Sequence, residues 1–118
     1  MNPELKRIHS PDIKDLLKHQ PDDPQCFSFL IQAMIGVKGE TWEESFDVEV
    51  CTPKWLQKNY TEDDILISSR FLIVQKYDYQ KIVETINKFL AHCKGETWND
   101  LAAQISRMGR WEFEDYSE

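Results

Sequence analysis

The feature that most constrains this chain is a pair of segments in which apolar residues occupy every second position. A period of two puts those residues on one face of a β-strand. Gly36 and Gly39 lie between the two segments and permit a turn, so the pattern predicts an antiparallel hairpin. The apolar positions are Phe27, Phe29, Ile31, Ala33 and Ile35 in the first segment and Phe46, Val48 and Val50 in the second.

The second of these strands carries carboxylates on its other face, at Glu43, Asp47 and Glu49. Acidic side chains are common on the solvated face of an antiparallel sheet, and that interpretation is favoured. A stripe that binds a cationic partner is the alternative, and the sequence leaves both open.

Before the hairpin, the sequence predicts a short strand and a helix. Residues 5–8 can form the strand, and Ser10-Pro11 then supplies a capping hydroxyl followed by proline at the first helical position. Two prolines and two aspartates at 20–24 predict that the helix ends in a surface loop. The apolar stripe of this helix would consist of Ile13, Leu16 and Leu17.

After the hairpin, cap signals place three further helices. Thr52-Pro53 predicts a short one, Asp78 caps a long one that Gly95 ends, and Thr97 opens the last with a capping box. Between the first two, residues 71–74 are apolar on both faces, as expected of a central, buried strand. A short terminal strand at residues 111–114 completes the order.

This order of elements predicts an α+β fold in a single domain, residues 1–118, with an antiparallel or mixed sheet and helices packed mainly on one face. A hydrophobic content of 41% in 118 residues is enough for one sizeable core. Cys26, Cys51 and Cys93 are odd in number and lie in apolar patterns, which favours reduced thiols in a reducing compartment. The strand order does not follow from the sequence.

The net charge favours some classes of binding partner over others. The formal net charge is −7, which repels phosphate backbones and anionic headgroups and makes direct binding to nucleic acid or membrane surfaces unfavourable. A cationic partner is favoured, although solubility alone also explains an acidic excess. No segment reaches the ~20 apolar residues of a membrane span, so a cytoplasmic protein is expected.

Two segments combine acidic and aromatic side chains in the manner of a protein-binding surface. Of the four tryptophans, Trp55 and Trp98 start helices with an apolar stripe and are interpreted as packed, whereas Trp42 is expected to be exposed. The first candidate patch is Trp111, Glu112, Glu114 and Asp115. The second candidate patch is Glu40, Trp42, Glu43 and Glu44.

Catalytic and metal-binding signals are weak. No nucleophile stands beside a recognisable base, no glycine-rich phosphate loop occurs, and His92-Cys93 has no ligand spacing behind it, so no cofactor is expected. A small hydrolase using His92 or a carboxylate pair is the enzymatic alternative. The tetrapeptide Gly-Glu-Thr-Trp occurs at 39–42 and again at 95–98, and we interpret this echo as coincidence because no longer repeat accompanies it.

Several stretches together resemble the immunity protein 8 family of bacterial polymorphic toxin systems. They extend over most of the chain, from about residue 5 to the end. The stretches are Phe29-Leu30-Ile31-Gln32-Ala33-Met34-Ile35-Gly36, Glu44-Ser45-Phe46-Asp47, Cys51-Thr52-Pro53-Lys54-Trp55-Leu56, Tyr77-Asp78-Tyr79 and Trp111-Glu112-Phe113-Glu114-Asp115-Tyr116.

The resemblance implies a small cytoplasmic protein that binds the C-terminal effector domain of a toxin encoded beside it and protects the producing cell. It implies no catalytic residues. Combined with the acidic surface, it leads to the hypothesis that the protein occludes a basic active site, for example that of a nuclease. A general protein-interaction module without toxin specificity is the alternative.

Overall fold

The computed structural model describes residues 1–114, and its architecture confirms the predicted α+β fold. Three strands come first, and the helices follow in nearly the predicted order. The elements are β1 (Pro3–His9), β2 (Ser28–Val37), β3 (Glu44–Cys51), α1 (Pro53–Asn59), β4 (Phe71–Ile73), α2 (Tyr79–Ala91), α3 (Trp98–Ile105) and β5 (Arg110–Trp111).

The sheet is mixed. Its strands follow the order β1-β2-β3-β4, with β5 paired to β3 as well. The pairs β1–β2 and β2–β3 are antiparallel, whereas β4 runs parallel to β3. One edge of β3 therefore receives two short strands, because Asp47 lies opposite Arg110 of β5 and Glu49 lies opposite Phe71 of β4.

The predicted hairpin is confirmed as β2 and β3, and its apolar face forms the centre of the core. Phe29 lies opposite Val50, and Ala33 lies opposite Phe46. Every apolar residue of the alternating pattern is buried, and helices α2 and α3 contribute buried residues to the same cluster. The helical contributors are Ile82, Ile86, Leu90, Leu101, Ala102 and Ile105.

The three predicted helix caps after the hairpin are confirmed. The side chain of Thr52 accepts a hydrogen bond from the Trp55 amide, that of Asp78 from Lys81, and that of Thr97 from Asp100. Each satisfies a backbone donor that the first helical turn cannot. Helix α2 ends at Ala91, earlier than the predicted stop at Gly95.

The predicted helix after Ser10 is wrong. Ser10 Oγ accepts from the amides of Asp12 and Ile13, as a cap does, but it also donates to the carbonyl of Leu30. Asp12 Oδ2 accepts from the Leu30 amide at 3.0 Å. These side-chain bonds hold the segment against β2 in bends and turns, and they replace the backbone bonds of a helix.

The prediction of a central strand at residues 71–74 is also wrong. β2 and β3 are the central strands, and β4 is a three-residue edge strand that pairs with β3 alone. Leu72 and Val74 pack against the core, but Ile73 is 55% exposed. An apolar run therefore does not require burial on both faces here.

The three cysteines are free thiols with different accessibility. Cys51 and Cys93 are buried and Cys26 is partly exposed. Burial raises the pKa of Cys51 to about 11, so its reactive thiolate is scarce at neutral pH.

We expect a thiol reagent at pH 8 to modify Cys26 rapidly in the native protein and to reach Cys51 and Cys93 only after unfolding. Counting modified thiols with and without denaturant checks this expectation. Rapid native modification of Cys51 would contradict its burial.

Candidate functional site

The turn between β2 and β3 holds Trp42 in a fixed position. Gly36 is required there, because an added Cβ would lie 2.2 Å from the carbonyl oxygen of Trp42. Gly39 has φ +91°, which side-chain-bearing residues rarely adopt. Lys6 Nζ donates to the carbonyls of Val37 and Glu40 at 3.2 and 2.8 Å, which ties the turn to β1.

Glu44 connects this turn to two distant parts of the chain. Its Oε1 accepts hydrogen bonds from the indole Nε1 of Trp98 at 2.7 Å and of Trp111 at 2.8 Å. The ring of Trp42 packs edge-to-face on Trp98, with centroids 4.9 Å apart. One carboxylate oxygen therefore orients two tryptophans, and one of these, Trp98, supports the 39% exposed ring of Trp42.

Glu112 fixes the C-terminal segment to β3. Its amide donates to the carbonyl of Ser45 at 3.0 Å, and its Oε1 accepts from the Ser45 amide at 2.7 Å. The neighbouring Trp111 ring stacks on the buried Phe46 with an interplanar angle of 12°. The two patches predicted from separate segments thus meet side by side around Glu44 and Ser45.

We call this combined area the joint surface. Contacts connect Trp42, Glu44, Trp111 and Glu112, and Glu40, Glu43 and Glu114 lie close to these in sequence. The eighth predicted residue, Asp115, lies outside the described residues. Glu40, Trp42, Glu112 and Glu114 are exposed, while Glu43, Glu44 and Trp111 are partly buried. Their role in binding remains a prediction.

The joint surface keeps an excess of negative charge. Arg7 Nε pairs with Glu43 Oε1 at 2.7 Å, and Arg110 lies 3.9 Å from Glu114. Within the part of the chain that the structure describes, Glu40, Glu44 and Glu112 form no salt bridge. Glu40 and Glu112 are exposed and Glu44 is partly buried, so the surface has three carboxylates outside these salt bridges beside an exposed indole.

The acidic face of β3 is partly solvated and partly bonded within the sheet. Asp47 accepts from Gln32 Nε2 at 3.2 Å, and Glu49 accepts from Ser28 Oγ at 2.5 Å. Both carboxylates also line a cleft of about 210 Å³ that includes Arg110. Each carboxylate therefore accepts a hydrogen bond from the neighbouring strand β2, in keeping with an outer sheet face.

Sequence reasoning missed the part that Trp98 plays at this surface. The sequence predicts that this indole is packed, and it does contact Phe46. It also supports the ring of Trp42. Trp42 and Trp98 are the last residues of the two Gly-Glu-Thr-Trp tetrapeptides. The repetition of the tetrapeptide gives no physical reason for this contact, so the sequence carried no signal that the two rings meet.

Residues 1–114 contain no group of histidine, cysteine and acidic side chains arranged to hold a metal ion. Imidazole Nδ1 of His92 lies 2.8 Å from the carbonyl of Lys88 in the same helix. Among the same residues, no helix has the length and apolar character needed to cross a membrane.

Comparison with known families identifies the chain. The family model described as Immunity protein 8 matches residues 3–116. Neither curated proteins nor solved structures yield a match. The family match covers the whole sheet, the helices and the joint surface, and it implies that the protein binds a cognate toxin. The chain therefore belongs to the immunity protein 8 family.

Proposed function

We propose that this immunity protein neutralises its toxin by placing the joint surface over a basic cleft of the toxin's C-terminal effector domain. The acidic side chains face the cationic cleft, and the exposed ring of Trp42 is the apolar anchor. A nuclease active site, which must be basic to hold a phosphate backbone, is the kind of cleft that such a surface fits best.

The observation that carries the proposal is the bonding of Glu44 to Trp98 and Trp111. It joins two acidic and aromatic segments, 67 residues apart in sequence, into one ordered surface. Side chains that are already ordered lose little conformational entropy on binding, which favours high affinity. Aromatic anchors surrounded by polar groups are the usual composition of energetic hot spots.

In this proposal the protein acts as a stoichiometric, non-enzymatic inhibitor in the cytoplasm. Electrostatic steering by the acidic surface raises the association rate toward 10⁸–10⁹ M⁻¹s⁻¹, and desolvation of the anchor slows dissociation. The test is co-purification with the effector domain of the toxin encoded beside it, followed by titration of the toxin's activity. Inhibition that is complete at one equivalent supports the proposal, and undiminished toxin activity refutes it.

Charge reversal at the joint surface should slow association. Glu40 is exposed with no bonded side-chain partner in the described chain, and the exposed pair of Glu114 with Arg110 contributes little stability. We expect the Glu40→Lys/Glu114→Lys double variant to bind the effector domain with an association rate at least roughly tenfold lower at low salt. Stopped-flow measurements over a range of salt concentrations check this.

A matched control is Asp22→Lys/Glu84→Lys, which changes the net charge equally at exposed positions in the first loop and on α2. We expect its association rate to fall by about threefold at most, since only the overall charge has changed. Equal slowing by both double variants would show that net charge, and not the joint surface, steers the toxin.

A further inference from the structure

Among residues 1–114, no backbone partner pairs with the outer edge of β4. Glu49 donates to the carbonyl of Arg70, and Val74 donates to the carbonyl of Cys51, both at 2.8 Å. In a parallel ladder the alternate residues point the other way, so Phe71 and Ile73 direct their amides and carbonyls away from β3. Such an edge is a template for another strand.

The segment that leads into β4 is apolar and uncovered. Ile65 is 90% exposed, Leu66 46% and Ile67 100%. Within residues 1–114 these three form no backbone hydrogen bond. Three consecutive aliphatic residues in open solvent are a liability for a soluble protein, which indicates that something covers them in the functional state.

A groove lies beside the same edge. It has a volume of about 480 Å³ between β4 and the first turns of α2. Leu72, Val74 and Ile82 line it with apolar surface, and Lys81 and Asp78 also border it. A strand added to β4 would turn every second side chain into this groove, since side chains alternate across a sheet.

We propose that the free edge of β4 receives an extended strand of the toxin effector domain, with its inward side chains in the groove. This inference rests on the proposed function and adds a second contact to it. Both contacts lie along one edge of β3, because β5 of the joint surface and β4 pair with the same side of that strand. The partner strand adds backbone hydrogen bonds to Phe71 and Ile73.

Charge selects the toxin strand over a second copy of this chain. The segment before β4 carries Glu62, Asp63 and Asp64 against one arginine, Arg70, and Glu49 lies beside Phe71 on the outer face of the sheet. Lys76 and Lys81 border the groove together with Asp78, so acidic groups still outnumber basic ones around this edge. A second copy would bring the same acidic groups and a net charge of −7 to the edge, which is repulsive. A toxin strand with apolar residues on one face and basic residues on the other would match both the apolar groove and the acidic outer face of the sheet.

The direct test is hydrogen exchange at the Phe71 and Ile73 amides in the native protein. Without a partner these amides should exchange rapidly, because they face solvent. In the complex with the effector domain we expect exchange at least roughly tenfold slower. Unchanged exchange in a complex that forms and inhibits the toxin would overturn the edge contact and leave the proposed function standing.

The supporting variant is Ile73→Pro, which removes an outward amide and leaves the β3 ladder intact. We expect binding at least roughly tenfold weaker, against less than threefold for Ile73→Thr, which keeps the amide. Equal binding of the toxin by the native protein and the Ile73→Pro variant overturns the inference. A concentration-dependent homodimer that Ile73→Pro abolishes also overturns it, because the edge would then bind a second copy of the chain. If the native protein does not bind the toxin at all, the proposed function itself fails.

Discussion

Replacing Phe46 by alanine should lower the free energy of unfolding by about 3–5 kcal/mol, the usual cost of removing a buried ring. Phe46 is 0% exposed and is the largest of the fully buried side chains. Trp111 stacks on its ring, and Trp98 meets it edge-to-face. The cavity would therefore lie directly beneath the two tryptophans that Glu44 orients. Urea denaturation followed by far-UV circular dichroism measures the loss.

Phe46→Leu is the matched control, because it keeps most of the apolar volume. We expect it to cost about 1–2 kcal/mol, less than half of the alanine value. A loss below about 1 kcal/mol for Phe46→Ala would mean that the ring is not packed as described.

Replacing Glu44 by alanine should lower the free energy of unfolding by about 2–4 kcal/mol, because two partly buried indole donors lose a charged acceptor at once. The hydrogen bonds from Trp98 and Trp111 both end on the same oxygen. Loss of that oxygen should also release Trp98 from beneath Trp42. Denaturation curves give the stability, and tryptophan fluorescence reports the change around the rings.

Glu44→Gln separates the hydrogen bonds from the charge. An amide oxygen can still accept from both indoles, so we expect a loss of only about 1 kcal/mol. Equal losses for Gln and Ala would show that charge and not hydrogen bonding is what Glu44 supplies. No loss in either variant would contradict the bonding to both tryptophans.

The hydrogen bonds of Glu44 and Glu112 determine how the predicted binding residues should be tested. Glu44 and Glu112 hold the joint surface together, so their substitution affects folding as well as binding. Glu40 and Glu114 are the positions where a change of charge leaves the described packing intact. Trp42 is the proposed anchor, and its ring packs on Trp98.

Most of the fold could be predicted because its signals are local. Alternation of apolar residues defined β2 and β3, and the side chains of Thr52, Asp78 and Thr97 defined the starts of three helices. The fold class follows from the order of these elements, and the family resemblance agrees with it.

The errors in the fold arose where distant contacts override local pattern. Ser10 has the chemistry of a helix cap, but its hydroxyl and the Asp12 carboxylate bond to Leu30, 18 or more residues away. Residues 71–74 have the composition of a buried strand, but sheet order decides burial, and the order cannot be read from the sequence.

The candidate site also combines features that local sequence predicts with features that depend on distant contacts. Both patches were found from their acidic and aromatic composition, and the exposure of Trp42 is confirmed. Their meeting depends on Glu44, which lies 54 residues from Trp98 and 67 residues from Trp111, and on the pairing of β5 with β3. No local pattern specifies such a contact.

The most direct test of toxin binding by the joint surface is a ¹⁵N spectrum of the four indole N–H groups during titration with the cognate effector domain. If the joint surface binds the toxin, the Trp42 signal shifts or broadens as the complex forms, together with the signals of Trp98 and Trp111. A complex that inhibits the toxin and leaves all three of these signals unchanged would place the binding site elsewhere and contradict binding by the joint surface.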